Sequence, residues 1–179
     1  MVAVNDACRL FPSAAVLYAC DQAWWDVHEG VRWFAGERWS SHGHPGCNDK
    51  LKCADRHDLN LIRGADGDGF AVDPGLIHYG NNSGFQAVNL ALHWLGWRGR
   101  IVLVGFDMRA SEGRRHFFGD HPGSLHRNKA TTELDRYFGA FIRRFEMAAR
   151  MLPAGIEIVN ATPGSALRCF PIVDLNHAI

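Results

Sequence analysis

Apolar residues in this chain fall into short runs separated by polar, glycine-rich connections, and the runs alternate between two periods. "MVAVN" and "AVLYACD" (residues 15–21) are continuous, rich in β-branched and aromatic residues, and read as buried strands. The connection between them holds Asp6, Arg9 and Pro12 and has room for one helical turn. "DQAWWDVHEGVRWF" then places Trp24, Val27, Val31 and Phe34 on one helical face, with Gly30 as a weak point. Residues 35–58 lose both periods and read as an irregular insertion.

A strand follows at 59–64, "LNLIRG", closed by the turn chemistry of "ADGDG". "NNSGFQAVNLALHWLG" predicts a helix over 83–95 that is apolar almost all the way round. Residues 101–104, "IVLV", have the continuous character of a central parallel strand. A polar loop covers 109–129. An amphipathic helix over 131–151 aligns Leu134, Phe138, Phe141, Phe145 and Ala148, and "IEIVN" is the last strand. Strands alternating with helices over short connections define an α/β protein with a mainly parallel sheet, in one domain covering 1–179.

Composition narrows the function classes without choosing one. Lys+Arg and Asp+Glu both total 19, so no global positive field favours nucleic acid, and none is expected as a partner. No apolar run is long enough to span a bilayer, and no signal peptide is visible, so a cytoplasmic protein without membrane association is expected. Five scattered cysteines read as reduced thiols. His42, His44, Cys47, Cys53 and His57 crowd one segment. Their spacing matches no zinc motif, so no metal is assigned.

Ligands of open parallel sheets lie outside the carboxyl ends of the strands. The candidates delivered there are Asn5 and Asp6, Asp21, Gly105 and Asp107, Asn160, and Asn82-Ser83-Gly84 at a helix start. The helix start suits either a plain N-cap or an anion held by unpaired N–H groups, with Gly84 allowing close approach. Asp21 and Asp107 suit turn capping, a ribose hydroxyl or a metal ion. The loop "RRHFFGDHPGSLH" brings His116, Asp120, His121 and His126 together with Arg114 and Arg115, the makings of a histidine base supported by a carboxylate.

The ordered set "VAVNDACRLFPSAAVLYACD", "NNSGFQAVNLALHWLGWRGRIVLVGFDM", "HFFGDHP" and "IEIVNATPGSAL" resembles a Rossmann-like superfamily. That group includes bacterial CMP-sialic-acid-dependent sialyltransferases, flagellin-glycosylation proteins and pterin-pyrophosphokinase-like proteins. The chain also resembles short bacteriophage and prophage proteins, which implies a phage-encoded protein of a bacterial cytoplasm. The resemblance implies a three-layer Rossmann-like sandwich and a metal-independent, inverting glycosyl transfer from a nucleotide-sugar, a CMP-sugar first among donors, to an unidentified acceptor. It assigns Asn5 and Asn82-Ser83-Gly84 to the nucleotide and Gly105-Phe106-Asp107 to the side of the site. His121 becomes the acceptor base, with His116 second, at a spacing one residue longer than the family's. Members usually carry one more strand before the "VAVN" strand, so an open sheet edge, and with it a homodimer, is expected. A magnesium-dependent pyrophosphokinase-like transferase using Asp21 and Asp107 is the first alternative, and a non-catalytic binding protein on the same scaffold is the second.

Overall fold

The computed structural model describes residues 1–43, 49–109 and 131–178. Among the described residues, seven strands and five α-helices follow one another as β1 (Val2–Val4), β2 (Val16–Tyr18), α1 (Gln22–Val27), β3 (Glu37–His42), α2 (Asp49–His57), β4 (Asn60–Ala65), β5 (Leu76–His78), α3 (Ser83–Trp94), β6 (Gly99–Leu103), α4 (Thr131–Arg150), β7 (Ile156–Asn160) and α5 (Leu175–Ala178). Strands β1 to β5 form one parallel sheet in chain order, with register pairs such as Val4↔Tyr18, Tyr18↔Trp39 and Ser41↔Ile62. Strands β6 and β7 form a separate parallel pair, Ile101 opposite Ile158.

The period-2 alternation of strand side chains sorts the core into two faces. Ala3, Leu17 and Ala19 point to one face, where Trp24, Trp25, Val31, Phe34 and Cys53 of the α1–α2 side cover them. Tyr18, Ile62 and Ile77 point to the other, onto Ala87 and Leu90 of α3. Helix α3 touches both β1 and β5, so the sheet curls around it. Its opposite side, Phe85, Val88 and Leu92, packs with Leu103, Phe145, Ile158 and Leu167 of the β6–β7–α4 half. The result is the predicted α/β sandwich with a parallel sheet, of Rossmann-like construction. A helix packed from both sides is expected to be apolar almost all round, which is the pattern its sequence carries apart from Gln86 and Asn89.

Three parts of the sequence reading change. Residues 37–42 and 49–57 are a strand in the middle of the sheet and a helix, within the stretch read as irregular. "ERWSSH" offers no β-branched residue to reveal it. Its buried Ser41 instead donates to Gln86 Oε1 of α3 at 2.8 Å. Residues 101–104 are not central to the large sheet: β6 pairs with β7, and Val104 stands 48% exposed. The first helix stops at Val27, because Gly30 takes a left-handed φ of 72° and breaks the axis before Val31 and Phe34 reach the core.

Polar groups inside the core are paired across elements. Gln86 accepts from Tyr18 Oη at 2.7 Å and from Ser41, and its Nε2 donates to Tyr79 O at 3.0 Å. Asn89 accepts from the N–H groups of Ala71 and His78 and donates to Ala71 O, which holds the β4–β5 connection against α3. These two amides set the position of α3, and so the position of its N-terminus, relative to the sheet.

Candidate functional site at the carboxyl edge

The turn that enters α3 is tightly constructed. Gly80 has φ 52°, and a Cβ there would lie 2.1 Å from the Phe85 ring, so only glycine fits. Asn82 is extended and is the N-cap: its Oδ1 accepts from Phe85 N at 2.8 Å, and its Nδ2 donates to Gly80 O at 3.2 Å. Ser83 clasps the end of β2. Cys20 N–H donates to Ser83 Oγ at 3.1 Å, and that hydroxyl donates to Cys20 Sγ at 3.0 Å. Gly84 faces β6, since a Cβ on it would meet Phe106 Cε1 at 2.9 Å. The space that this glycine leaves open is taken by the Phe106 ring, rather than left to a ligand.

The ends of β1, β2, β6 and the start of α3 are therefore gathered at one edge, and Phe106 N–H donates to Thr162 Oγ1 beyond β7 at 2.9 Å. Within it the sequence-derived candidates divide. Asn5 follows β1 with φ 51°, half-buried, and its Oδ1 is enclosed without a hydrogen-bond partner among the described residues. A buried amide oxygen with no donor is unfavourable, which makes it a natural acceptor for a ligand N–H or O–H. Asp21 is exposed at the N-cap position of α1, and its carboxylate makes no capping bond. Gly105, at φ 78°, and Asp107 are exposed beside them.

Two other candidates are consumed by the fold. Asp6 turns to the α1 side, 2% exposed, where it accepts from Trp24 Nε1 at 2.9 Å and pairs with Arg9 at 3.3 Å. Asn160 is fully enclosed: its amide donates to Ser165 Oγ and Leu167 O and accepts from Thr162 N, so it organises the turn after β7. His116, Asp120 and His121, with Arg114, Arg115 and His126, lie outside the described residues, as do His44 and Cys47.

A second constellation stands at the opposite, amino edge. Arg32, Arg38, Arg56, His57 and Asp58 line a cleft of about 300 Å³. Behind it Asp26 Oδ1 lies 2.9 Å from His57 Nε2 and 3.0 Å from Arg56 Nη1, and the His57 hydrogen bond holds the Asp26 carboxyl below the ordinary carboxylate range. Asp26 has no part in the sequence reading. The spacing of Cys53 and His57, four apart on a helix, was the available signal.

Fold and edge together define a parallel α/β protein in which the polar side chains of Asn5, Asp21 and Asp107 lie beyond the carboxyl ends of strands. No protein family, curated protein or solved structure matches the chain. Among the described residues, no helix is long and apolar enough to cross a membrane.

Proposed function

We propose that this chain binds a nucleotide at the carboxyl edge and acts as a nucleotide-sugar-dependent glycosyltransferase, a CMP-sugar being the first donor to test. One observation carries the reading: Asn5 Oδ1, an enclosed acceptor without a partner among the described residues, sits where β1 and β2 end beside the α3 N-terminus. Asn5 takes the base or ribose. The backbone N–H groups of Ser83 and Gly84, in the first turn of α3, favour the phosphate on the side of the helix end that the Phe106 ring does not fill. His121 removes the acceptor proton as the bond to the leaving nucleotide breaks, with His116 and Asp120 in the same loop. In this reading the protein works in the cytoplasm of a bacterial host and is encoded by a phage or prophage. The exposed carboxylates of Asp21 and Asp107 favour, as a second reading, a magnesium-dependent pyrophosphokinase-like transfer.

Calorimetric titration with CMP, CMP-sugars and other nucleotides, with and without magnesium, tests both. Asn5→Ala is expected to weaken nucleotide binding at least tenfold, and His121→Ala to abolish turnover while sparing binding. Strict magnesium dependence of turnover selects the second reading. Absence of binding by any nucleotide to the well-folded full chain overturns both and leaves a non-catalytic scaffold.

A further inference from the structure

We propose that Asp26, Cys53 and His57 form a Zn²⁺ site that ties α1 to α2, at the sheet edge opposite the proposed nucleotide site and independent of it. Helix α2 carries Cys53 and His57 one turn apart on one face, and both are enclosed, at 2% and 6% exposure. Asp26 comes to them from the last turn of α1. One donor atom from each residue, the thiol sulfur, a ring nitrogen and a carboxylate oxygen, lies within 4.8 Å of the other two. Tetrahedral zinc holds such atoms about 3.3–3.6 Å apart, so side-chain rotations on the order of 1 Å complete the set.

The donor chemistry selects the metal. One thiolate, one imidazole and one carboxylate suit zinc, whereas magnesium and calcium require oxygen ligands. Zinc takes the place of the proton shared by Asp26 Oδ1 and His57 Nε2 across 2.9 Å. In the metal-bound form the imidazole carries its hydrogen on Nδ1, the proton displaced from between Nε2 and Oδ1 moves to Nδ1 through solvent, the Cys53 thiol releases its proton to solvent, and water fills the fourth position. Nδ1 is already buried without a hydrogen-bond partner among the described residues, and either tautomer leaves it so, so the metal creates no new unsatisfied group. Gly30 is part of the construction: a Cβ there would lie 2.8 Å from Nδ1. Two negative ligands balance the ion. Arg56, which holds Asp26 Oδ1 at 3.0 Å in the metal-free arrangement, is 60% exposed and can turn to solvent.

The full chain, stripped with chelator, is titrated with Zn²⁺ and separately with Co²⁺. One equivalent is expected to bind, with a thiolate-to-cobalt charge-transfer band and a melting temperature raised by several degrees. Cys53→Ser should remove the band, and His57→Gln should weaken zinc binding more than tenfold. Arg56→Gln removes the competing cation and should tighten binding severalfold, an outcome that a simple structural salt bridge does not produce. X-ray absorption at the zinc edge of the wild-type protein needs no variant: it should show one sulfur at about 2.3 Å with nitrogen and oxygen ligands at about 2.0–2.2 Å. Failure to bind one equivalent, a shell with no sulfur or more than one, or a band that survives Cys53→Ser overturns the proposal.

Discussion

Replacing Gln86 with Met tests whether buried polar pairing, rather than apolar packing alone, fixes α3 on the sheet. Methionine has nearly the same length and volume, so the change isolates hydrogen bonding. Three bonds are lost, from Tyr18 Oη at 2.7 Å, from Ser41 Oγ at 2.8 Å and to Tyr79 O at 3.0 Å. At about 1 kcal/mol net for each, the loss is about 3 kcal/mol, and it rises if the stranded groups stay dry. Tyr18 and Ser41 are both completely buried, so no solvent can replace the lost partner without local opening. Against a total stability on the order of 5–15 kcal/mol, that is a large fraction.

Urea unfolding followed by circular dichroism gives the midpoint and slope. A double-mutant cycle with Tyr18→Phe supplies the sharper test. In the wild-type background Tyr18→Phe removes one donor and should cost about 1 kcal/mol. In the Gln86→Met background it removes a stranded hydroxyl and should be neutral or stabilising, a coupling of about 1–2 kcal/mol. A Gln86→Met cost below about 1 kcal/mol, with Tyr18→Phe equally costly in both backgrounds, would refute the reasoning.

Three further outcomes follow from the same structure. Phe145→Ala empties the centre of the ring cluster formed with Phe70, Phe85, Phe106 and Phe170, and should cost about 3–5 kcal/mol in chemical denaturation; a loss under 1 kcal/mol would place this cluster outside the cooperative core. Asn82→Ala removes the α3 cap and should cost about 1 kcal/mol with an unchanged urea slope, while Asn82→Ser retains most of the stability. Burial raises the thiols of Cys8 and Cys169 from 9.0 to about 11, and raises Tyr18 well above its ordinary value. Groups raised on folding stabilise fully below their unfolded values, so stability should fall as pH climbs from about 9 towards 11; Cys8→Ala with Cys169→Ala should flatten that decline in pH-dependent melts, and an unaltered alkaline limb would show that these thiols are not its source.

Local pattern made much of this protein legible. The α3 cap at Asn82, the largely apolar helix behind it, the break at Gly30 and the apolar runs of β1, β2, β4, β6 and β7 are patterns within a few residues, which sequence carries directly. Strand β5 and the 37–42 strand escaped it, because "LIH" is short and "ERWSSH" satisfies its buried serine through a glutamine 45 residues away. The same limit applies to the candidate site. Asn5 follows β1 directly and Asn160 closes β7, whereas Asp6, Asp21 and Asp107 lie two, three and four residues beyond the strands that the sequence reading ended on them.

Which of those side chains remain available was decided by partners distant in the chain. Trp24 takes Asp6, Ser165 and Leu167 take Asn160, and Phe106 fills the space beside Gly84, whereas Asn5 Oδ1 is left with no partner among the described residues. Pairing β6 with β7 rather than seating it within the large sheet is likewise a long-range choice. Sequence by itself determined most of the helices and the strongly apolar strands, because side-chain period and helix capping are local. The tertiary structure alone decided strand order, the approach of Asp26 to Cys53 and His57, and the fate of each polar group, because burial and pairing depend on what the rest of the chain brings alongside.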